Sequence, residues 1–175
     1  LSKVAEVLEQ HEGRVSYVYD DNTSRRWSSK AKGDPTIGIG FNLNRPDARK
    51  LIGQVGGDFD RLMAGKDTLN PDQIDQLTGL AVRETANWLR NHFDGVVMEN
   101  AKWMALTSLA YNSRWNKAGP TLIGPKITAA IKRGDWKAAE DEIRHNSSGG
   151  VSNDLKRGIQ LRRDREANLF RGTLK

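Results

Sequence analysis

The chain has 175 residues, enough for a single domain with a substantial buried core. Apolar residues make up 37% and charged residues 29%, and five Trp add large apolar side chains, which excludes wholesale disorder. With 28 Lys and Arg against 22 Asp and Glu the net charge is +6, which favours an anionic partner: nucleic acid, an acidic wall polymer or a membrane surface. Cysteine is absent, so a disulfide scaffold, Cys-ligated zinc and a thiol nucleophile are excluded. No apolar run approaches the length of a membrane span, and no signal peptide is expected at the N-terminus. Leu rather than Met at position 1 fits a processed chain or a fragment of a longer one.

Val4, Val7 and Leu8 recur at helical spacing and Gly13 stops the pattern, predicting a short helix that ends at Glu12. Residues 15–19 alternate imperfectly as Val-Ser-Tyr-Val-Tyr, and "TIGIGF" at 36–41 is a second β-type run. The polar, turn-rich and basic stretch "DNTSRRWSSKAKGDP" joins them. "NRPDARKLI" opens another helix, with Asn44 or Arg45 before a proline suited to the first turn, and "GQVGGD" closes it. In the longest helical pattern Asn70 stands as N-cap and Pro71 in the first turn, with Ile74, Leu77, Ala81, Trp88 and Leu89 near one face. "ENAKWMALTSLAYNSRW" is apolar on most sides, as in a central buried helix, and three further helical segments complete the chain. The order predicts an α+β, mostly helical fold in one domain over 1–175: a small β lobe at about 13–45, and a helical lobe from 1–12 and 70–175.

An acid at a helix end beside a small sheet bearing polar groups makes the kind of cleft wall that glycoside hydrolysis needs. One carboxylic acid protonates the leaving oxygen while a second group directs water or stabilises an oxocarbenium-like transition state. On spacing alone Glu12 and the Asp20-Asp21 doublet are ordinary surface charges. Gly38 and Gly40, on one face of the expected strand, would let another chain or a sugar come close to the backbone. The three histidines share no metal-ligand spacing, so no metal or cofactor is expected. Trp88 and Trp103 are expected in the core, while Trp27 and Trp115, in polar stretches, are candidates for stacking on sugar rings. "RHNSSGG" would bring amides and hydroxyls beside the last helix, making Ser148 and Gly149 a cleft-edge loop for a glycan.

The ordered set "HEG", Asp21 nine residues beyond Glu12 with Tyr19 two before it, and "TIGIG" from Thr36 resembles the Glu-Asp-Thr signature of the phage-type lysozymes, which cut peptidoglycan. "ALTSLAYN", "IKRGDWKAAEDEIRH" and "GIQLRRDREANLF" are similar to that family's central helix, helix pair and last helix. The resemblance implies a two-lobed lysozyme-like fold, with Glu12 as general acid, Asp21 as the carboxylate that holds or activates water, and Thr36 as its hydroxyl partner. It also implies an amide at Asn112 facing the cleft and an arginine hydrogen-bonded to Glu12, with Arg162 preferred over Arg163 and Arg165. Glu12 would stay protonated by burial and Asp21 ionised among hydrogen bonds. Inversion would follow from carboxyl groups roughly 6.5–9.5 Å apart.

Asp20 and Asp21, read as adjacent strand residues, face opposite sides; parity with Tyr17 and Tyr19 favours Asp21 in the cleft and Asp20 facing away, unless a bulge intervenes. The chain departs from the family pattern in its long connection, with Arg25, Arg26, Lys30 and Lys32 as a wall-binding flap or a solvated loop. It departs again at Phe41, which stands where many relatives have His and is expected to pack. The implied activity is muramidase cleavage of the β-1,4 bond between N-acetylmuramic acid and N-acetylglucosamine, without cofactor. Its rivals are a lytic transglycosylase on the same scaffold and a non-catalytic wall-binding or nucleic-acid-binding module. The partner implied is cell-wall peptidoglycan, with no nucleic acid, and the domain is expected to be monomeric. The setting implied is a phage-encoded enzyme acting in the host periplasm or wall, virion-associated or released at lysis.

Overall fold

A computed structural model describes residues 3–145 and 153–172. The fold is α+β and mostly helical, and the chain forms two compact units. The first takes residues 1–84 with 114–118, and the second takes 85–113 with 119–175. The first unit thus gathers α1 (Lys3–Glu12) with the sheet, where the sequence places residues 1–12 with the helices. Side-chain ties account for this. Arg14, just past α1, binds Glu9 at 2.9 Å and Asp75 of the long helix at 2.8 Å, and the Glu12 side chain lies against the sheet's hairpin turn.

Helix α1 buries Ala5 and Leu8 and stops where the Gly13 N–H donates to the Glu9 carbonyl. The antiparallel sheet follows in order β1 (Val15–Asp20), β2 (Pro35–Gly38) and β3 (Phe41–Asn42). Tyr19 faces Thr36 and Asp20 faces Pro35, but the register shifts between Val15 and Tyr19. Val18, Tyr19 and Asp20 are buried in succession, so the strand does not alternate inside and outside. The long connection covers its other edge: Trp27 N–H donates to the Val18 carbonyl, Asp20 N–H donates to the Arg25 carbonyl, and the Arg26 guanidinium lies 4.0 Å from the Tyr17 ring centre.

Helix α2 (Ala48–Gln54) starts after Asp47, later than the proline suggested, and α3 (Phe59–Met63) is a short helix that the sequence reading does not contain. Asp58 caps α3 by accepting from the Arg61 N–H. Helix α4 (Pro71–His92) begins at a reciprocal capping box: Gln73 N–H donates to the Asn70 side chain and Asn70 N–H to the Gln73 side chain, both at 2.9 Å. Residues 71–84 of α4 belong to the first unit, whose core holds Leu8, Ile37, Ile39, Phe41, Leu51, Ile52 and Ile74. The segment 114–118, with β4 (Trp115–Asn116), also belongs there. It is held by buried Arg45, whose guanidinium stacks over the Trp115 ring at 4.3 Å while binding Asp47 through two nitrogens.

The second unit contains α5 (Asn100–Tyr111), β5 (Gly119–Pro120), α6 (Pro125–Lys132), α7 (Trp136–His145) and α8 (Asn153–Arg171). Residues 105–111 of α5 are all buried, as its unbroken apolar pattern predicts, and α8 packs on α5 and α7. Leu89, Phe93, Leu106, Leu109, Ile131, Ile143 and Phe170 fill its core. Among the described residues two acids are buried there and both are paired. Glu166 meets Arg163 and the Ser108 hydroxyl, and Glu140 meets Arg144 and Arg171.

Candidate active site

Glu12 closes α1 and is half-buried, with its side chain lying directly over Gly40. A Cβ on Gly40 would stand 2.7 Å from Glu12 Cγ and 3.0 Å from Cδ, so only glycine leaves room for this glutamate. The φ of +64° at Gly40 independently favours glycine. The expected strand over 36–41 is therefore a hairpin: β2, a tight turn through Ile39 and Gly40, and β3, with Ile37 facing Phe41. The close approaches that Gly38 and Gly40 permit are made from within the chain, by Ile74 of α4 and by Glu12. Phe41 is buried, as expected.

The doublet divides differently from a pair of adjacent strand residues, because β1 ends at Asp20 and Asp21 begins the turn. Asp20 is 2% exposed. Its Oδ1 accepts from the Asn22 and Gly33 N–H groups and its Oδ2 from the Lys32 N–H. Burial opposes its ionisation, but those backbone donors and the Thr23 hydroxyl outweigh it and hold its pKa below the ordinary carboxylate range. Asp20 is the clasp of the long connection.

Asp21 reaches solvent, and its Oδ1 accepts from the Asp34 N–H at 2.7 Å. Among the described residues no protein group bonds its Oδ2. Burial of the carboxyl pushes its pKa up; the Asp34 N–H and Arg114 oppose this, while the charges of Asp34 and Asp20 add to it. Gly33 makes the arrangement possible, since a Cβ there would lie 2.1 Å from Asp21 Oδ1 and 2.4 Å from Asp20 Oδ1.

Thr36 is buried in β2, and its hydroxyl donates to the Asp34 carbonyl at 3.3 Å. Asp21 and Thr36 thus meet at the backbone of one residue, Asp34. Sequence reasoning passes over Asp34, although it is the only acid between Asp21 and Asp47 and stands before a proline. Its carboxylate is buried and accepts from Asn44 at 3.0 Å, Asn42 at 3.3 Å and Arg114 at 2.8 Å.

Glu12, Asp21 and Thr36 belong to the first unit, and Asn112 and Arg162 to the second. Asn112 ends α5, its amide donating to the Ser108 carbonyl at 3.0 Å. Arg162 on α8 is half-buried, whereas its neighbour Arg163 is buried against Glu166. Ser148 and Gly149 lie outside the described residues. Trp115 is covered on one face by Arg45, and Trp88 stacks on His92 at 4.5 Å and against Gly119. Among the described residues no three His, Asp or Glu side chains form a metal-binding group, and no helix is long and apolar enough to cross a membrane.

The fold, α+β and mostly helical, is that of the lysozyme-type enzymes. The chain belongs to the phage lysozyme family, whose model matches residues 9–166. No curated protein matches it in sequence. In structure it is similar to the endolysin from Escherichia coli O157:H7 phage FAHEc1, with a TM-score of 0.65, 18% identity, and coverage of 99% of this chain and 94% of that one. The active form of P1 phage endolysin Lyz gives a TM-score of 0.62 at 19% identity, covering 99% and 86%. The muramidase domain of SpmX from Asticaccaulis excentricus gives 0.60 at 14%, covering 97% and 95%. At these identities the neighbours establish the fold.

Proposed function

We propose that this protein hydrolyses the β-1,4 bond between N-acetylmuramic acid and N-acetylglucosamine in peptidoglycan. Glu12 is the general acid, Asp21 the carboxylate that directs water, and Thr36 the hydroxyl on the water side. Asn112, Arg162, Ser148 and Gly149 serve substrate binding. The observation that carries this reading is the division of labour among the acids of a lysozyme-family chain. Asp20 is consumed by three backbone donors, while Asp21 presents an oxygen that no protein group among the described residues bonds, and Glu12 has a seat that only glycine provides. A carboxylate with an available oxygen can orient water, and a helix-end glutamate can deliver a proton to the leaving oxygen. The reaction needs no cofactor.

The test is digestion of purified peptidoglycan by wild type, Glu12→Gln and Asp21→Asn, followed by product masses. Each variant is expected to lose about 10²–10⁴-fold in rate with its fold retained. Full turnover by Glu12→Gln would remove Glu12 from the role of general acid, and no turnover by wild type would favour a wall-binding module. Products uniformly lighter by one water would instead assign a lytic transglycosylase. The family and the basic charge fit a phage-encoded enzyme that works on the host wall as a monomer.

A further inference from the structure

We propose that Asp34 is a positioning residue for this reaction, joining the Asp21 carboxyl and the Thr36 hydroxyl through the N–H and C=O of its own backbone and, with Arg114, setting the electrostatic field at Asp21. The proposal rests on the role given above to Asp21. Pro35 biases Asp34 towards extended backbone, in which a residue's own N–H and C=O point to the same side, and both reach Asp21. The N–H donates to Asp21 Oδ1 at 2.7 Å, while the C=O accepts from the Thr36 hydroxyl at 3.3 Å and from the Asp21 N–H at 3.1 Å. A tilt of the Asp34 backbone displaces both groups.

The Asp34 carboxylate fixes that tilt. Asn44 binds Oδ1, while Asn42 and Arg114 bind Oδ2, and the Asp34 side chain is only 12% exposed. The Arg114 side chain is 70% exposed, so the pair has a buried acid and a solvent-facing base. A buried carboxylate beside Asp21 without its cation would oppose a second negative charge there, and Arg114 removes that opposition. The charged groups facing Asp21 are Asp34, Arg114 and Asp20, which agrees with the opposing influences of Asp34 and Arg114 on its proton affinity.

The experiment follows initial rates on soluble uncross-linked glycan strands against pH, for wild type, Arg114→Gln, Asp34→Asn and Arg49→Gln. Arg49 is an exposed cation paired with Asp60, and it serves as the control for lost surface charge. The acidic limb of kcat/KM reports ionisation of the water-side carboxylate in free enzyme. Arg114→Gln should move that limb up by about half a pH unit, and Asp34→Asn should move it down by a similar amount. Arg49→Gln should leave it in place. A role confined to holding the fold would lower rates or thermal midpoints without displacing the limb in opposite directions. If Asp34→Asn does not fold, Arg114→Gln alone still decides: a limb that stays in place, or moves as far in Arg49→Gln, overturns the proposal. Full activity in Asp21→Asn would defeat the parent reading instead. An inactive Asp21→Asn beside unmoved limbs would defeat only the role of Asp34.

Discussion

Replacing Gly40 by Ala tests the seat of Glu12 directly. The backbone φ of +64° makes an L side chain unfavourable by about 1–2 kcal/mol. The new methyl would also meet Glu12 Cγ at 2.7 Å, Cδ at 3.0 Å and Oε2 at 3.3 Å, an overpacking worth about 1–3 kcal/mol. Gly38 is the control: its φ is +66°, but its new methyl would meet Ile74 at ordinary distances, Cγ2 at 3.4 Å and Cγ1 at 3.9 Å. Gly40→Ala should therefore cost about 2–5 kcal/mol and Gly38→Ala about 1–2 kcal/mol. Urea unfolding of both variants, repeated in a Glu12→Ala background that deletes all three contacted atoms, isolates the crowding as a coupling of about 1–3 kcal/mol at position 40 and none at position 38. Peptidoglycan clearing should fall about a hundredfold in Gly40→Ala, because the acid is displaced by the order of an ångström. Equal losses at the two glycines, or additivity with Glu12→Ala, would refute the reasoning.

Two further outcomes follow from the acid doublet. Asp20→Asn puts an amide donor among three backbone N–H groups and should cost about 1–3 kcal/mol at neutral pH. Because the folded pKa of Asp20 is lowered, its stabilisation is present above the ordinary carboxylate value of about 3.9 and is lost as pH falls through the lowered one. The gap between wild-type and Asp20→Asn urea midpoints should therefore close on acidification, and a gap constant with pH would contradict the clasp. Asp21→Asn should behave oppositely. Its folded pKa is raised, so its favourable contribution is present below the ordinary value and lost as pH rises through the raised one. The neutral variant keeps an oxygen for the Asp34 N–H, and its thermal midpoint at neutral pH should equal or exceed that of wild type; a large drop would show Asp21 to be a structural acid.

Local chemistry made much of the molecule readable in one dimension. Asn70 and Pro71 announced α4, and the unbroken apolar run of α5 announced a buried helix; both follow from periodicity and capping, which act within a few residues. The ordered spacing of Glu12, Asp21 and Thr36 likewise named three residues that the fold gathers into one unit. What the spacing could not decide was which acid is spent and which is available. That choice depends on N–H groups from residues 32–34 folding back onto Asp20 and Asp21, 12 or 13 positions away, through a connection with no regular repeat. The short α3 and the two-residue β3 carry too little periodic signal to be seen. Asp34 stayed hidden for the same reason: its importance lies in partners at 21, 36, 42, 44 and 114. The sequence by itself determined the helices, the order of the acids and the family likeness, because those depend on near neighbours and linear spacing. Only the tertiary structure decided that Asp20 clasps, that Asp34 joins Asp21 to Thr36, and that Gly40 is the floor beneath Glu12, because each rests on a contact between residues far apart along the chain.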